Sequence, residues 1–466
     1  MELEIGGSME TTKRLAEFIS KTSLAEIPAE AQELGKKAIL DNLGVALAGS
    51  RDPMANIMVD FIKDTGGRPQ ASIWGKKFKT SAPLAALANG TFGHALDFDD
   101  INRSMRGHPT VPVLPATLAV AEELKASGEA TLEAFLIGFE VETKLGAGMN
   151  PYLFENGWHP TAILGAMGAA AASAKLLKLP AEKICMALGI AASLASGLRQ
   201  NFGTMTKPLH AGHAAQNGVV AAKLSQRGYT ADPAIVEAKL GYAHAFAGPE
   251  RYDLDKITAN LGKPFEIVSP GVGLKRYPSC ARTHPAIDAM LNLVAKNDIH
   301  PEEVKSVSCA GSYTTPTMLI HSRPQTALEG KFSMEFCMAL ALLERRVELP
   351  HFKDRKVQDP KIQEVIKKVT FSIRPDLNTI ESSGNPSTTV KVILSDGREF
   401  TETVDEAKGT PGNPLPAKEV RDKYRQCVKG IQSKKEMERT IELVENLEGL
   451  KKIPTLTDLL TGADKK

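Results

Sequence analysis

One stretch of the sequence, GHALDFDDINRSMRGHPTVP, concentrates side chains that could transfer protons. Its ionisable residues are aspartates, histidines and arginines: Asp97, Asp99, Asp100, His94, His108, Arg103 and Arg106. Histidine titrates near neutral pH and can act as a general acid or base. A buried aspartate can orient a histidine or carry a proton itself. The stretch therefore has the composition of one wall of a catalytic pocket, although a solvated loop can contain the same residues.

Three further clusters of polar residues are embedded in small or apolar sequence, in GWHPTAILGA, TMTKPLHAGHAAQNG and LKRYPSCARTHPAIDA. Their candidate functional residues are His159, Lys207, Lys275, Arg282 and His284. Lysine binds a carboxylate as a point charge, and arginine binds it as a two-pronged donor. We expect His108 and His159 to carry protons, and Lys207, Arg282 and His284 to bind carboxylates. Each cluster alone also fits a structural role, but together they suit removal of a proton next to a carboxylate.

Motifs for other classes of chemistry are incomplete or missing from the sequence. GVGLKR has Arg276 where a dinucleotide-binding fingerprint needs its third glycine. The phosphate-binding motif G-x-x-x-x-G-K-[ST], the zinc motif H-E-x-x-H and the nucleophile motif G-x-S-x-G do not occur. His210 and His213 are spaced to share a helical face, but no carboxylate lies near them as a third ligand. We therefore predict that they are structural and that no metal is bound.

Helical patterns dominate the first part of the chain. Helices are predicted at Leu84–Ala95, Pro115–Ala126 and Thr131–Leu145. The alanine-rich segment Ile163–Leu198 is interrupted by charged residues and by Pro180, so it predicts two buried helices rather than a membrane span. Small residues crowd these segments and allow helices to pack closely.

The character of the sequence then changes. Val304–Ala310, Val369–Ile373 and Thr389–Leu394 are β-branched segments that predict strands, and Asp396-Gly397 predicts the turn of a hairpin. Helical patterns lie between these strands and return after Pro416.

We therefore predict a mainly α protein. A large all-helical domain would be built from both chain ends, residues 1–263 and 409–466, and a smaller α+β lid domain would be inserted at residues 264–408.

The overall composition argues against some classes of function. The chain has 466 residues and a net charge of +2, from 57 basic and 55 acidic residues, which supports neither nucleic-acid binding nor a polybasic membrane contact. Its five cysteines form no C-x-x-C pair, which favours a reducing, cytoplasmic location. The first residues contain no apolar segment of the kind found in secretory signals.

The chain resembles the MmgE/PrpD family through several motifs in the family's order. These are DNLGVALAGS, HALDFDD followed by HP, GWHPT, TKPLHAGHAAQNG, YPSCARTHPAID, LEGKFSMEF and GNPLPAKEVRDKY. The family includes 2-methylcitrate dehydratase, cis-aconitate decarboxylase and iminodisuccinate epimerase. The resemblance implies a large all-helical domain with a smaller α+β lid, usually in a homodimer.

The resemblance also implies an active site between the helical domain and the lid. Matched by motif, its catalytic residues are Asp97, His108, His159, Lys207 and His284. Lys207 would hold a substrate carboxylate, with help from Arg103 or from Lys275 and Arg282 in the lid. Asp97 would fix the tautomer of a histidine partner. We expect no cofactor, and a small carboxylate as the substrate.

Two positions depart from the pattern of the family's decarboxylases and dehydratases. Ile101-Asn102 replaces Thr-Trp after the aspartate pair, and the loop from there to His108 is one residue longer. A lid tyrosine of the decarboxylases has no evident equivalent, and Ile320-His321 lies near its place. These differences leave the identity of the substrate open.

The sequence thus predicts a cofactor-independent lyase that abstracts the α-proton of a small di- or tricarboxylate, with 2-methylcitrate dehydratase as the leading prediction. One of His108 and His159 would remove the proton, and the other would protonate the departing hydroxyl. A decarboxylase of the cis-aconitate type or an epimerase of a dicarboxylate needs the same groups, so both remain open. A metal-dependent hydratase is disfavoured by the missing ligand cluster, and a helical scaffold without activity is the alternative from another class.

Overall fold

The computed structural model describes residues 10–379 and 386–461. Within them the chain forms two compact units. The first contains residues 10–200, 205–272 and 416–461, and the second contains residues 201–204, 273–379 and 386–415. The domain boundaries predicted from the sequence lie several residues before those of the units, and the prediction did not separate residues 201–204 from their neighbours.

Helices dominate the described residues, which confirms the predicted mainly α fold class. The helices of the first unit are α1 (Thr11–Lys21), α2 (Ala29–Gly49), α3 (Pro53–Thr65), α4 (Ala82–His94), α5 (Thr110–Leu124), α6 (Gly128–Met149), α7 (Tyr152–Glu155), α8 (Pro160–Leu176), α9 (Ala181–Leu194), α10 (Thr206–Gln226), α11 (Tyr242–Ala247) and α12 (Leu254–Thr258). Three more follow at the end of the chain, α19 (Ala417–Val428), α20 (Lys434–Glu445) and α21 (Pro454–Thr457). The short strands outside the second unit's sheet are β1 (Ala71–Ser72), β2 (Lys79–Thr80), β3 (Ile101–Asn102) and β4 (Val272–Gly273).

The alanine-rich segment forms two helices, α8 and α9, as predicted. Almost every side chain of α8 is buried, because its small residues allow neighbouring helices to approach from several sides. Among the described residues, no helix is long and apolar enough to cross a membrane.

Glycines at the contact between α4 and α10 allow these two helices to pack very closely. A Cβ atom added at Gly212 would lie 2.1 Å from the carbonyl oxygen of Leu87, and one added at Gly90 would lie 2.7 Å from the Cα atom of Gly212. Any larger residue would push the helices apart. His94 is the last residue of α4 and Lys207 is the second residue of α10, so this contact helps to position both.

The second unit is built around a four-stranded sheet with the strand order β6-β5-β7-β8. Its strands are β5 (Val304–Gly311), β6 (Val369–Ile373), β7 (Thr388–Leu394) and β8 (Glu399–Val404), and its helices are α13 (His284–Asn297), α14 (Thr315–Met318), α15 (Ala327–Gly330), α16 (Met334–Glu344), α17 (Asp354–Val357) and α18 (Pro360–Ile366). β5 and β6 are parallel, whereas β7 pairs antiparallel with β5 and β8. The β7–β8 hairpin turns at Gly397, whose φ of +90° suits glycine, and this confirms the predicted turn.

Candidate active site

Asp97, His108, His159 and Lys207 come together in the first unit, and His94 lies among them. Lys207 Nζ is 2.5 Å from Asp97 Oδ1, and His108 Nε2 is 3.9 Å from the same oxygen. The ring centroid of His94 lies 4.6 Å from that of His108 and 5.7 Å from that of His159. Four of the five residues that the sequence predicts as catalytic are therefore neighbours, although they come from three separate segments of the chain.

Asp97 combines an unusual backbone conformation with a buried ion pair. Its φ of +50° lies in the left-handed region, which is unfavourable for a residue with a Cβ atom. Its N–H donates to the carbonyl oxygen of His94 at 3.2 Å, and its carboxylate pairs with Lys207. A carboxylate this deeply buried needs such a partner, because desolvation penalises an isolated charge. A strained residue persists only where its surroundings determine its position, so Asp97 is held in place.

Asp99 is the carboxylate that contacts the histidines. Its Oδ2 atom lies 2.9 Å from His94 Nδ1 and 3.3 Å from His108 Nδ1. Although burial acts in the opposite direction, these two rings hold the pKa of Asp99 well below its ordinary value, so Asp99 is ionised at neutral pH. The prediction that Asp97 fixes a histidine tautomer therefore needs correction. Asp97 Oδ1 lies beyond hydrogen-bond distance of His108, and Asp99 makes the close contacts.

His108 has a defined tautomer. Its Nδ1 atom lies 2.8 Å from the carbonyl oxygen of Asp100, and a carbonyl oxygen can only accept, so Nδ1 carries a proton. In the neutral ring Nε2 is then the proton acceptor, and in the protonated ring it is the donor. The side chain of His108 is 13% exposed, whereas that of His94 is fully buried. Nε2 of His108 is therefore a candidate proton carrier with a fixed orientation.

His159 is paired with His210, which the sequence analysis treated as structural. Their Nδ1 atoms are 3.1 Å apart, and both rings are buried. Burial and the charge of Lys207 lower the pKa of His159 well below its ordinary value and that of His210 to about 4, so both rings are neutral near pH 7. Two neutral rings joined through Nδ1 must have opposite tautomers, since one donates and the other accepts. The tautomers of His159 and His210 are therefore coupled.

Asp100 braces the start of α5. It accepts hydrogen bonds from the backbone N–H and the hydroxyl of Thr110, at 3.2 and 2.6 Å. Burial raises the pKa of Asp100 to about 8, with a further contribution from the charge of Asp99. At neutral pH the carboxyl group of Asp99 is therefore negatively charged, whereas that of the adjacent Asp100 is protonated and neutral. Asp100 therefore braces the loop, whereas Asp99 orients histidines.

The raised pKa of Asp100 predicts a specific dependence of stability on pH. Between about pH 4 and pH 8 the folded state holds this proton and the unfolded state does not, so the stabilisation from Asp100 falls as the pH rises through this range. Relative to Asp100→Asn, the free energy of unfolding of the unaltered protein should decrease by about 1.4 kcal/mol per pH unit between pH 5 and pH 7. Urea unfolding at pH 5, 6 and 7 measures this difference. Asp60→Asn, which changes an exposed carboxyl on α3, is the control, and parallel curves for Asp100→Asn and the unaltered protein would contradict the assignment.

The residues predicted to bind substrate are distributed differently. Arg103 is exposed on the loop between α4 and α5. Lys275, Arg282 and His284 belong to the second unit, where Lys275 and His284 are buried and Arg282 is half-buried. His284 Nε2 lies 3.2 Å from the carbonyl oxygen of Ser279 and donates to it, which leaves Nδ1 of the neutral ring as a proton acceptor. The roles of these four residues toward a substrate remain predictions.

Asn102, one of the two positions that depart from the family pattern, shapes the loop. Its side-chain oxygen accepts from the N–H of Met105 at 2.9 Å, and its side-chain NH2 donates to the carbonyl oxygen of Gly271 at 3.1 Å. Its backbone N–H donates to the carbonyl oxygen of Gly107. Asn102 therefore closes the turn that leads to His108, a role that satisfies buried backbone groups.

Four residues of the cluster are close enough to share a metal ion. His94, Asp97, Asp99 and His108 each place a potential ligand atom within 4.8 Å of the others. The sequence suggested only His210 and His213 as possible metal ligands, and it did not predict this set. Two observations oppose a cation here. The ammonium group of Lys207 already neutralises Asp97. Oδ2 of Asp99 accepts a hydrogen bond from His94 and also lies 3.3 Å from Nδ1 of His108. This Nδ1 atom carries a proton, so it is not a metal ligand.

Activity is accordingly expected to survive metal removal. Dialysis against a chelator should leave kcat and KM unchanged, because Lys207 supplies the positive charge that a metal would otherwise provide. Steady-state kinetics of the dialysed protein, with and without added Zn²⁺ or Mn²⁺, measures this. A loss of activity that one of these ions restores would assign the four residues to a metal site.

Three residues of the cluster were not among the predicted site residues: His94, Asp99 and His210. His94 and Asp99 lie in the same motif as Asp97, so their proximity in sequence was a usable signal. His210 follows Lys207 by three residues, which places both on one face of α10. The contact between His210 and His159 joins residues 51 positions apart and had no signal in the sequence.

Comparison with known proteins identifies the family of this chain. The model of the MmgE/PrpD N-terminal domain matches residues 13–255, and that of the MmgE/PrpD C-terminal domain matches residues 277–449. The chain belongs to the MmgE/PrpD family. This confirms the resemblance found in the motifs, and the chain is a lyase of the MmgE/PrpD type.

This MmgE/PrpD protein is also similar along its length to characterised relatives. It is 29% identical to cis-aconitate decarboxylase of Homo sapiens over 468 residues, which cover 97% of this chain and 94% of the relative. The cis-aconitate decarboxylase of Mus musculus is 29% identical over 92% of this chain and 88% of the relative. That of Aspergillus terreus is 26% identical over 96% of this chain and 95% of the relative. These relatives give the predicted preference for a dehydratase no specific support.

Proposed function

We propose that this protein is a cofactor-independent lyase that decarboxylates a small unsaturated tricarboxylate of the cis-aconitate type. The observation that carries the proposal is that two groups lie near the same oxygen, Asp97 Oδ1. One is the buried ammonium group of Lys207, at 2.5 Å, and the other is Nε2 of His108, a histidine of fixed tautomer, at 3.9 Å. The similarity to cis-aconitate decarboxylases over nearly the whole chain supports this choice among the family's reactions.

Decarboxylation makes two demands on such a site. The bond between carbon and the departing carboxylate breaks, CO2 leaves, and the electron pair is delocalised through the neighbouring carbon–carbon double bond toward a remaining carboxylate. Lys207 would stabilise the negative charge that develops there. A proton must then be added to one end of this delocalised carbanion, and this step needs a positioned donor.

His108 fits the role of that donor. When its ring is protonated, Nδ1 donates to the Asp100 carbonyl oxygen and lies 3.3 Å from the ionised Asp99, which stabilises the imidazolium. Nε2–H is then the proton available to the substrate. His159, neutral at pH 7 and oriented by His210, would bind the substrate or exchange protons with it.

Carboxylate binding is expected to involve more than Lys207. A tricarboxylate carries three negative charges, and the predicted contributions of Arg103, Lys275, Arg282 and His284 would supply the remaining cationic or donating groups. A homodimer and a cytoplasmic location remain predictions from the sequence.

Incubation with candidate acids in deuterated buffer, followed by NMR, tests the proposal. With cis-aconitate we expect release of CO2 and one deuterium in the five-carbon product, because the added proton comes from a group that exchanges with solvent. Loss of water from 2-methylcitrate would instead favour the dehydratase, and deuterium uptake into a dicarboxylate without a new product would favour an epimerase. No reaction with any of these acids would favour the scaffold without activity.

A further inference from the structure

Two motifs that carried the family resemblance take no part in the cluster described above. DNLGVALAGS lies on α2 and includes Asp41 and Gly44, whereas AKEVRDKY lies on α19 and includes Lys423 and Tyr424. Both helices belong to the first unit, although they come from opposite ends of the chain.

Gly44 allows α19 to lie directly against α2. A Cβ atom added at Gly44 would be 2.9 Å from Cδ2 and 3.2 Å from Cα of Tyr424, whose side chain is fully buried. A larger residue at this position would move α19 away, since the nearest atoms include backbone. The close approach brings Lys423 to Asp41.

Lys423 makes three contacts at the end of this interface. Its Nζ atom is 2.7 Å from Asp41 Oδ1, donates to the carbonyl oxygen of Phe98 at 2.8 Å and lies 3.7 Å from the centroid of the Phe98 ring. The side chains of Asp41 and Lys423 are 0% and 7% exposed. The charge of Asp41 offsets the desolvation of the ammonium, and Phe98 receives both a hydrogen bond and a cation–π contact.

Phe98 lies between the two aspartates that organise the site. Its carbonyl group belongs to the peptide that joins it to Asp99, and its N–H belongs to the peptide that joins it to Asp97. Asp97 has a positive φ and pairs with Lys207, while Asp99 orients His94 and His108. Fixing the Phe98 carbonyl therefore restricts the backbone from which both carboxylates project.

We propose that Lys423, held by Asp41, is a positioning residue that sets the two carboxylates of the site through the backbone of Phe98. The inference rests on the proposed function where activity is the readout. It differs from a purely structural role, in which the buried ion pair would only fasten α19 to α2. It also gives the two motifs at opposite ends of the chain one common purpose.

The double variant Asp41→Asn/Lys423→Met separates these roles. Removing one partner of a buried ion pair leaves an uncompensated charge, whereas neutralising both often preserves stability. We expect the double variant to melt close to the unaltered protein but to lose about tenfold to a hundredfold in kcat, because small displacements of catalytic groups have effects of this size. KM should change by no more than about threefold, since Lys207 is retained. The matched control is Arg421→Met. Arg421 lies on α19, as Lys423 does, and its exposed ion pair is with Glu445 of α20, so this variant should keep full activity.

A second variant and a second readout keep the test decisive. Gly44→Ala retains both charges but displaces α19, so it should lower kcat in the same direction even if the double variant fails to fold. NMR of ¹⁵N-labelled histidines reports the Nδ1–H protons of His94 and His108, which we expect to be resolved in the unaltered protein and in Arg421→Met, and broadened or shifted in both test variants. Folded variants with unchanged kcat and unchanged histidine signals would overturn the proposal. If the unaltered protein decarboxylates nothing, the proposed function fails, and the NMR comparison still decides the positioning role.

Discussion

Lys207→Met is expected to lower kcat/KM for decarboxylation by about 10²–10³-fold. Loss of a single preorganised group that stabilises developing negative charge has an effect of this size. Lys207 is buried and its Nζ atom lies 2.5 Å from Asp97 Oδ1, so an uncharged side chain at this position removes the ammonium group from the cluster. Steady-state kinetics with cis-aconitate measures the effect.

Two controls distinguish chemistry from folding in this experiment. Lys223→Met, on the same helix, breaks an ion pair with Glu123 outside the cluster and should retain activity. Removing Lys207 alone leaves Asp97 buried without its partner, which costs about 3–5 kcal/mol of stability. Asp97→Asn/Lys207→Met should recover much of that stability without recovering activity. Full activity in a folded Lys207→Met protein would remove Lys207 from the mechanism.

The second large effect is expected for His108→Gln, with a loss of about 10²–10⁴-fold in kcat. Glutamine can still donate to the Asp100 carbonyl oxygen, so the loop should keep its conformation, but it cannot carry a proton from solvent to the substrate. The loss should therefore appear in kcat, with a smaller change in KM.

A change in the solvent deuterium isotope effect should accompany this loss of kcat. If His108 delivers the proton, the solvent deuterium isotope effect on kcat should change in His108→Gln, because another step or another donor becomes limiting. His300→Gln replaces an exposed histidine of the second unit that lies 3.5 Å from the exposed Asp298, and it should leave both kcat and the isotope effect unaltered. An active His108→Gln protein would transfer the role of proton donor to His159.

Local sequence signals predicted several elements of the fold. The strand Val369–Ile373 was predicted with its observed bounds, and the alanine-rich segment divided at Pro180 as expected. The helix predicted from Pro115 instead begins at Thr110, because Asp100 binds the N–H and hydroxyl of Thr110 from the preceding loop. A side chain ten residues away stabilises that helix start, and helical periodicity does not report such a contact.

The residues of the site were predicted only in part, because local sequence signals do not report contacts between distant residues. Motifs identified Asp97, His108, His159 and Lys207, because residue types and their order along the chain are local properties of the sequence. They did not show which groups pair. The sequence predicts a histidine partner for Asp97, whereas the structure pairs Asp97 with Lys207, and Asp99 makes the closer contacts with histidines.

The sequence by itself thus determined the family, the mainly helical fold class and four of the ionisable groups in the cluster, Asp97, His108, His159 and Lys207. Only the tertiary structure decided how these groups are coupled: Lys207 with Asp97, His159 with His210, and Lys423 with both Asp41 and the Phe98 carbonyl. Each of these contacts joins residues that are at least 51 positions apart in the sequence. Their distances depend on how closely glycines such as Gly44 and Gly212 allow helices to approach, and helix packing, unlike helix formation, is not a local property of the chain.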